Sequence, residues 1–190
     1  MVTDKNELLG KTLGTCTLER LIGHGGMGAV YLARQQRPRR SVAVKVFLPG
    51  PALDDEARAD FLARFRREAD AIASLDHINI IPIYEYGEQN QQAYLVMPYI
   101  SGGTLRQIIN TRGPLPLNEA LPLVEQIAEA LDYAHKLGII HRDIKPGNIL
   151  FHADGRLLLA DFGLAKILSE TTLSAHDDAP SISHGAMIGT

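Results

Sequence analysis

The 190-residue sequence contains a single cysteine, Cys16. No internal disulfide is possible, which points to a reducing compartment. No apolar run approaches the ~18 residues needed to cross a bilayer. Residues Met1 to Gly10 mix charges and lack the apolar centre of a signal peptide. These features predict a cytoplasmic chain with no membrane segment, and leave attachment through a longer parent open. Charge of one sign is also scarce. The formal net charge is −3, so nucleic acid is not an expected partner. What the sequence has is a hydrophobic content of 45% with 22% charged residues, the balance of a globular chain.

The densest chemistry lies in His141-Arg142-Asp143-Ile144-Lys145-Pro146-Gly147-Asn148. Two cations, a carboxylate and an amide sit between apolar runs, too polar a set for a plain connector. Upstream, Thr17 to Ile22 reads as a strand. Gly23-His24-Gly25-Gly26-Met27-Gly28 follows, then the apolar run from Ala29 to Ala33. Four glycines in six residues let a backbone approach a ligand closely, with amide groups turned to phosphate oxygens. A dinucleotide-binding turn would need a helix after the glycines. Here a β-branched run and a basic turn (Arg34 to Arg40) come next, so the pattern predicts a hairpin with a solvated charged tip.

Val42-Ala43-Val44-Lys45-Val46-Phe47-Leu48 is apolar on both faces, with Lys45 on the face of Ala43 and Phe47. A buried ammonium requires a carboxylate or phosphate partner. Asp54 to about Leu75 predicts a helix with acidic residues in its first turn and Phe61, Phe65, Ala69 and Ile72 on its inner face. Glu68 shares that face and is the expected partner of Lys45; the alternative is a solvated glutamate at the face's edge. Ile80 to Tyr86 and Gln92 to Met97 read as strands, and Pro98 to Gly103 as a hinge. Thr104 to Asn110 reads as a short helix. Asn118 is the expected N-cap of a widely apolar helix that ends at Gly138. Ile149 to His152 and Arg156 to Ala160 form a predicted hairpin whose open ends carry Asn148 and Asp161. Two hard oxygen ligands thus converge beside Asp143, a set suited to Mg²⁺ carried on phosphates.

Taken together, Gly23-x-Gly25-x-x-Gly28-x-Val30, Val42-Ala43-Val44-Lys45, Glu68, His141-Arg142-Asp143-x-Lys145-x-x-Asn148 and Asp161-Phe162-Gly163 resemble the protein kinase signature set. The chain resembles a bacterial eukaryotic-like (Hanks-type) serine/threonine protein kinase from about Thr12 to Thr190. The resemblance implies an α+β bilobal fold, with a small lobe of antiparallel sheet plus one helix and a helical, incomplete large lobe. Residues 1–14 are a lead-in, 15–100 the small lobe with its hinge, and 101–190 a partial large lobe ending in the activation segment.

The resemblance also implies ATP and Mg²⁺ as cofactors and a protein serine or threonine as acceptor. Ile22, Gly23, His24, Gly25, Gly26, Met27, Gly28, Val30, Ala43, Lys45, Met97, Pro98, Tyr99, Ile100 and Leu150 would surround ATP. Met97 resembles the gatekeeper, and Pro98 to Ile100 the hinge that meets adenine. Pro98 stands where the family often has glutamate; proline keeps the carbonyl used there. Lys45 would bind phosphates and be held by Glu68. Asp143 would take or orient the acceptor proton, Lys145 would neutralise the transferring group, and Asn148 and Asp161 would hold magnesium. Lys145 at two residues past Asp143 is the serine/threonine form of the loop. Arg142 implies a switch through a phosphorylated residue among Thr171, Thr172, Ser174, Ser181 and Ser183, with Ser181 or Ser183 preferred.

The sequence ends at Thr190, before the family's Ala-Pro-Glu motif and later helices. That predicts apolar surface left open on the helix after Asn118, and self-association through it. A non-catalytic ATP-binding or interaction fragment is the alternative to an active kinase.

Overall fold

A computed structural model describes residues 5–25, 28–47, 54–90 and 92–162. Its first half is a six-stranded antiparallel sheet. The strands are β1 (Thr12–Leu13), β2 (Cys16–Gly25), β3 (Gly28–Gln35), β4 (Arg40–Phe47), β5 (Glu85–Gln89) and β6 (Gln92–Pro98), in the spatial order β1-β2-β3-β4-β6-β5. β4 is central, between β3 and β6, and all six residues from Val42 to Phe47 are buried. Alternation divides them. Val42, Val44 and Val46 join a cluster with Leu8, Leu13, Cys16 and Tyr31 on one face. Ala43 and Phe47 join the larger cluster with Phe61 and Phe65 on the other.

That second face is covered by α1 (Asp55–Ala73). Asp54 caps it, its Oδ1 accepting from the Ala57 amide at 2.8 Å, and Asp55 and Glu56 complement the positive end of the helix dipole. Phe61, Phe65, Ala69 and Ile72, spaced three and four apart, are its buried residues. Phe65 meets Phe47 at 5.2 Å between ring centroids. Leu8 and Leu13 are each only 2% exposed, so the sheet's hydrophobic face reaches back into residues 5–14.

The segment from Ile80 to Tyr86 corrects the sequence reading. The strand begins only at Glu85. Ile80 and Ile81 turn instead to the second half of the molecule: Ile81 N donates to Leu159 O at 3.0 Å and Leu159 N to Asn79 O at 2.8 Å. Pro82 has no amide to offer a ladder. The apolar run therefore ties the sheet to the helical half.

That half contains α2 (Leu105–Arg112), α3 (Leu117–Lys136), a single 3-10 turn (Pro146–Asn148) and a two-stranded sheet of β7 (Ile149–Phe151) and β8 (Leu157–Leu159). The cap of α3 is Pro116 rather than Asn118. Proline's fixed φ suits the entry, and its carbonyl accepts from the Glu119 and Ala120 amides, each at 3.0 Å. Pro122 falls in the second turn, and the helix continues through it. Gly138 stops the helix with φ +75°, as glycine at this position does. On the outer face of α3, Leu117, Leu121 and Val124 are 71%, 50% and 59% exposed. Among the described residues no helix is long and apolar enough to cross a membrane.

Candidate active site

The hinge strand, the glycine-rich hairpin and the β7–β8 hairpin enclose a cavity of about 470 Å³. The roof comes from β2, β3 and β4 through Ile22, Gly23, Val30, Ala43 and Lys45. Met97, Pro98, Tyr99 and Ile100 form the back wall and Leu150 the floor. These are ten of the residues expected around ATP. His24 and Gly25 lie further out, exposed at the hairpin's end, and do not line the cavity. Gly26 and Met27 fall outside the described residues. Gly28 shapes the roof indirectly. Its φ is +138°, and a Cβ there would lie 2.0 Å from the Val46 carbonyl oxygen. Only glycine lets β3 start this close to β4.

The inner end of the cavity carries the charge. Lys45 is 5% exposed, and its Nζ is 2.8 Å from Asp161 Oδ1. An ammonium buried without such a partner would cost several kcal/mol. The sequence paired Lys45 with Glu68. The ion pair found here is with Asp161, while Glu68 is half-buried on α1. Asp161 also departs from ordinary backbone, with φ +66°; Arg142 has φ +65°. Strained non-glycine residues of this kind concentrate at functional sites, where packing around them holds the conformation.

The loop before β7 is held from beneath by His141. Its ring is 1% exposed and sits 4.5 Å from the Phe162 ring, centroid to centroid. Nε2 lies 2.8 Å from the Ala160 carbonyl, and Nδ1 accepts from the Asp143 amide at 3.2 Å. The two bonds together require the neutral Nε2–H tautomer. Burial pushes the His141 pKa down, against the opposing pull of the Ala160 carbonyl and the carboxylates of Asp161 and Asp143.

Asp143 itself accepts twice. Lys145 Nζ reaches Oδ2 at 2.7 Å and Asn148 Nδ2 reaches the same oxygen at 3.0 Å. Burial alone would push this carboxyl up, but those two hydrogen bonds hold it below the usual carboxylate value. It is therefore ionised at neutral pH, as a proton acceptor requires. Asn148 also donates to the Asp143 carbonyl at 2.9 Å. Its amide nitrogen is thereby committed, which leaves Oδ1 as the atom able to accept or coordinate. The β7–β8 hairpin brings Asn148 and Asp161 together, with Ala160 N donating to Asn148 O at 2.8 Å.

This cavity fits Mg²⁺-bound ATP by the chemistry of its donors. The walls are apolar slabs suited to a flat base. Among the described residues there is no cluster of three or more His, Cys, Asp or Glu able to hold a metal alone. Asn148 and Asp161 offer two oxygen ligands, and Mg²⁺ characteristically takes one or two protein oxygens and completes its shell with phosphates and water. Arg142 is exposed beside them. Gly163, Thr171, Thr172, Ser174, Ser181 and Ser183 lie outside the described residues.

Sequence reasoning missed part of the lining: Arg20, Ile81, Ser101, Thr104, Gln107 and Gly147 also face the cavity. For two of these a signal existed. Thr104-x-x-Gln107 is a capping-box pattern, and the structure forms it at the start of α2.

The family model described as "Protein kinase domain" matches residues 16–180. Serine/threonine-protein kinase PrkC of Bacillus subtilis is 46% identical over 168 residues, spanning 88% of this chain and 25% of that protein. Serine/threonine-protein kinase PknB of Mycobacterium tuberculosis is 40% identical over 177 residues, spanning 91% of this chain and 27% of that protein. This chain therefore spans about a quarter of the length of these curated relatives. A crystal structure of the Mycobacterium tuberculosis PknI kinase domain superposes with a TM-score of 0.70 at 39% identity, over 82% of this chain and 62% of that one. On the matched motifs, the fold and these relatives, the chain belongs to the protein kinase domain family, among the bacterial Hanks-type members.

Proposed function

We propose that this chain carries the catalytic site of an ATP-dependent protein serine/threonine kinase. One observation carries the reading: Lys45, Asn148 and Asp161 line one end of a single cleft, and Asp143, bonded to both Asn148 and Lys145, adjoins them. Phosphoryl transfer asks a protein mainly for alignment and charge neutralisation, and this set supplies both. Bound Mg·ATP supplies the γ-phosphoryl group.

The chain's own residues do the rest. With Mg·ATP bound, Lys45 would meet phosphate oxygens, and Glu68 would steady it from α1. Asn148 Oδ1 and Asp161 would hold the metal. The Asp143 carboxylate, kept ionised, takes or orients the proton of the incoming hydroxyl. Lys145 sits one hydrogen bond away from Asp143 and neutralises charge on the moving group. Arg142 is exposed and serves as the docking cation for a phosphate on the segment after Gly163; Thr171, Thr172, Ser181 and Ser183 are the candidate acceptors.

The test is transfer of phosphate from γ-labelled ATP by the full chain and by Asp143→Asn. Incorporation by the parent that falls about 10²–10⁴-fold in the variant, the range for losing a general base, with ATP affinity kept, supports the reading. ATP binding with no transfer by either protein supports a nucleotide-binding role instead. Phosphopeptide mapping of active material should place a phosphate between Ser169 and Ser183; full activity without one removes the switch.

A further inference from the structure

The hinge has a second cavity on its other side. Pro98 and Ile100 line both this cavity, of about 410 Å³, and the cleft described above, so the hinge is their shared wall. The volume is within the ~300–1,000 Å³ of ligand sites. The floor is apolar. Ile80 and Leu158 are buried there, while Ile78 and Tyr84 at the edge are 64% and 41% exposed. Exposed large apolar side chains gathered around one concavity mark a binding surface.

The rim is cationic. Arg40 lies over the Tyr84 ring, 3.5 Å from Cζ to the centroid. Its Nε donates to a neutral acceptor, Gln35 Oε1, at 2.7 Å, so that contact leaves its charge uncompensated. The turn just before it is the basic hairpin tip, with Arg37 and Arg39 both exposed. From the helical half, His152 and Arg156 line the cavity. Arg156 Nε is 2.9 Å from Asp154 Oδ2, and His152 Nδ1 is 2.8 Å from Asp154 Oδ1, so the charge there is balanced locally. Asp76 is the one carboxylate among the lining residues, and His77 stands next to it. Four arginines are thus set against two aspartates, a positive rim on a chain whose formal net charge is −3. A polyphosphate would satisfy the rim and leave the apolar floor uncovered. An acidic peptide with apolar side chains matches both.

We infer that the groove behind the hinge is a docking site for a protein partner, entered by an extended segment whose apolar side chains are flanked by aspartate or glutamate. The apolar side chains fill the floor between Ile78 and Tyr84, and the carboxylates meet Arg40 and the hairpin tip. The site is separate from the residues of phosphate transfer and does not depend on the kinase reading.

Selection of a phage-displayed library of random dodecapeptides on the full chain, followed by fluorescence anisotropy with the synthetic consensus peptide, tests this. The selected peptides should be rich in acidic residues around apolar ones. Ile78→Asp should weaken the consensus peptide about 10-fold or more, the worth of one buried aliphatic side chain. Arg37→Glu with Arg39→Glu should weaken it about 3-fold or more and flatten its salt dependence, as exposed ion pairs do. Both variants should keep the parent's circular dichroism spectrum, because the substituted side chains are exposed. A selection that enriches nothing, or enriches basic or uncharged peptides, overturns the inference. So does a consensus peptide whose affinity is unchanged in either variant. A single-stranded oligothymidylate that binds the parent more tightly than the consensus peptide, and is lost with Arg37→Glu and Arg39→Glu, would also overturn it and assign the rim to nucleic acid. Peptide binding is read without phosphate transfer, so failure of the kinase reading is a separate outcome.

Discussion

Replacing His141 with phenylalanine keeps a flat ring against Phe162 and removes both ring nitrogens. Two backbone groups then lose partners, the Ala160 carbonyl and the Asp143 amide. Ala160 is 7% exposed, so water does not readily replace the donor; the Asp143 amide lies nearer solvent. Each unmade buried hydrogen bond costs ~1–3 kcal/mol, with the second at the low end, which gives about 2–4 kcal/mol in all. A domain stable by ~5–15 kcal/mol survives this loss.

The same substitution has a pH signature. Burial holds the His141 pKa below its ordinary value in the folded chain. As pH falls below about 6.5, the unfolded imidazole takes up a proton first. The unfolded state then binds more protons than the folded one, so this residue's effect on the parent is to lower stability as pH falls. Phenylalanine has no such loss. Urea unfolding of parent and His141→Phe, followed by circular dichroism at pH 8 and pH 5, should show a gap of about 2–4 kcal/mol at pH 8 that narrows at pH 5. A gap near zero at pH 8, or one that widens in acid, would refute the assignment of His141 as a buried neutral post beneath the Asp143 loop.

Three further outcomes follow from the geometry. Lys45→Met leaves Asp161 without its buried partner and removes the cation expected to meet phosphate; Mg·ATP affinity measured by calorimetry should fall at least ~10-fold, since a charged hydrogen bond is worth about 1.5–3 kcal/mol. Gly102→Ala should lower stability by ~1–3 kcal/mol through overpacking, because the new Cβ would lie 2.1 Å from the Phe151 carbonyl oxygen; thermal melting reads this as a drop of several degrees. Leu121→Asp with Val124→Asp places charge on the exposed outer face of α3; analytical ultracentrifugation should show less self-association than in the parent, and unchanged association would remove that face as the contact.

The motif residues were legible because each violates a local expectation: a lysine inside a fully apolar strand, a polar octet between apolar runs, four glycines beside a β-branched stretch. Their convergence was legible in part, since the β7–β8 turn at Ala153 to Gly155 had to bring Asn148 near Asp161. The stretch after α1 was not. Ile80-Ile81-Pro82-Ile83 has strand composition, yet the Ile81 amide finds its partner on β8, nearly eighty residues away, where no local pattern points. At the start of α3 the sequence pointed to Asn118, and the choice of Pro116 instead depends on the angle at which the chain arrives. Lys45 announced its need for a carboxylate, and the sequence pointed to Glu68; the ion pair with Asp161 depends on how the two halves of the molecule meet, which no local pattern shows.

The claim that organises the site is transfer of phosphate to an alcohol. Phosphoamino-acid analysis of protein labelled by the full chain with γ-labelled ATP and Mg²⁺ tests it directly. The account predicts phosphoserine or phosphothreonine, absent with Asp143→Asn. Label found on tyrosine alone, or appearing equally with Asp143→Asn, would contradict it.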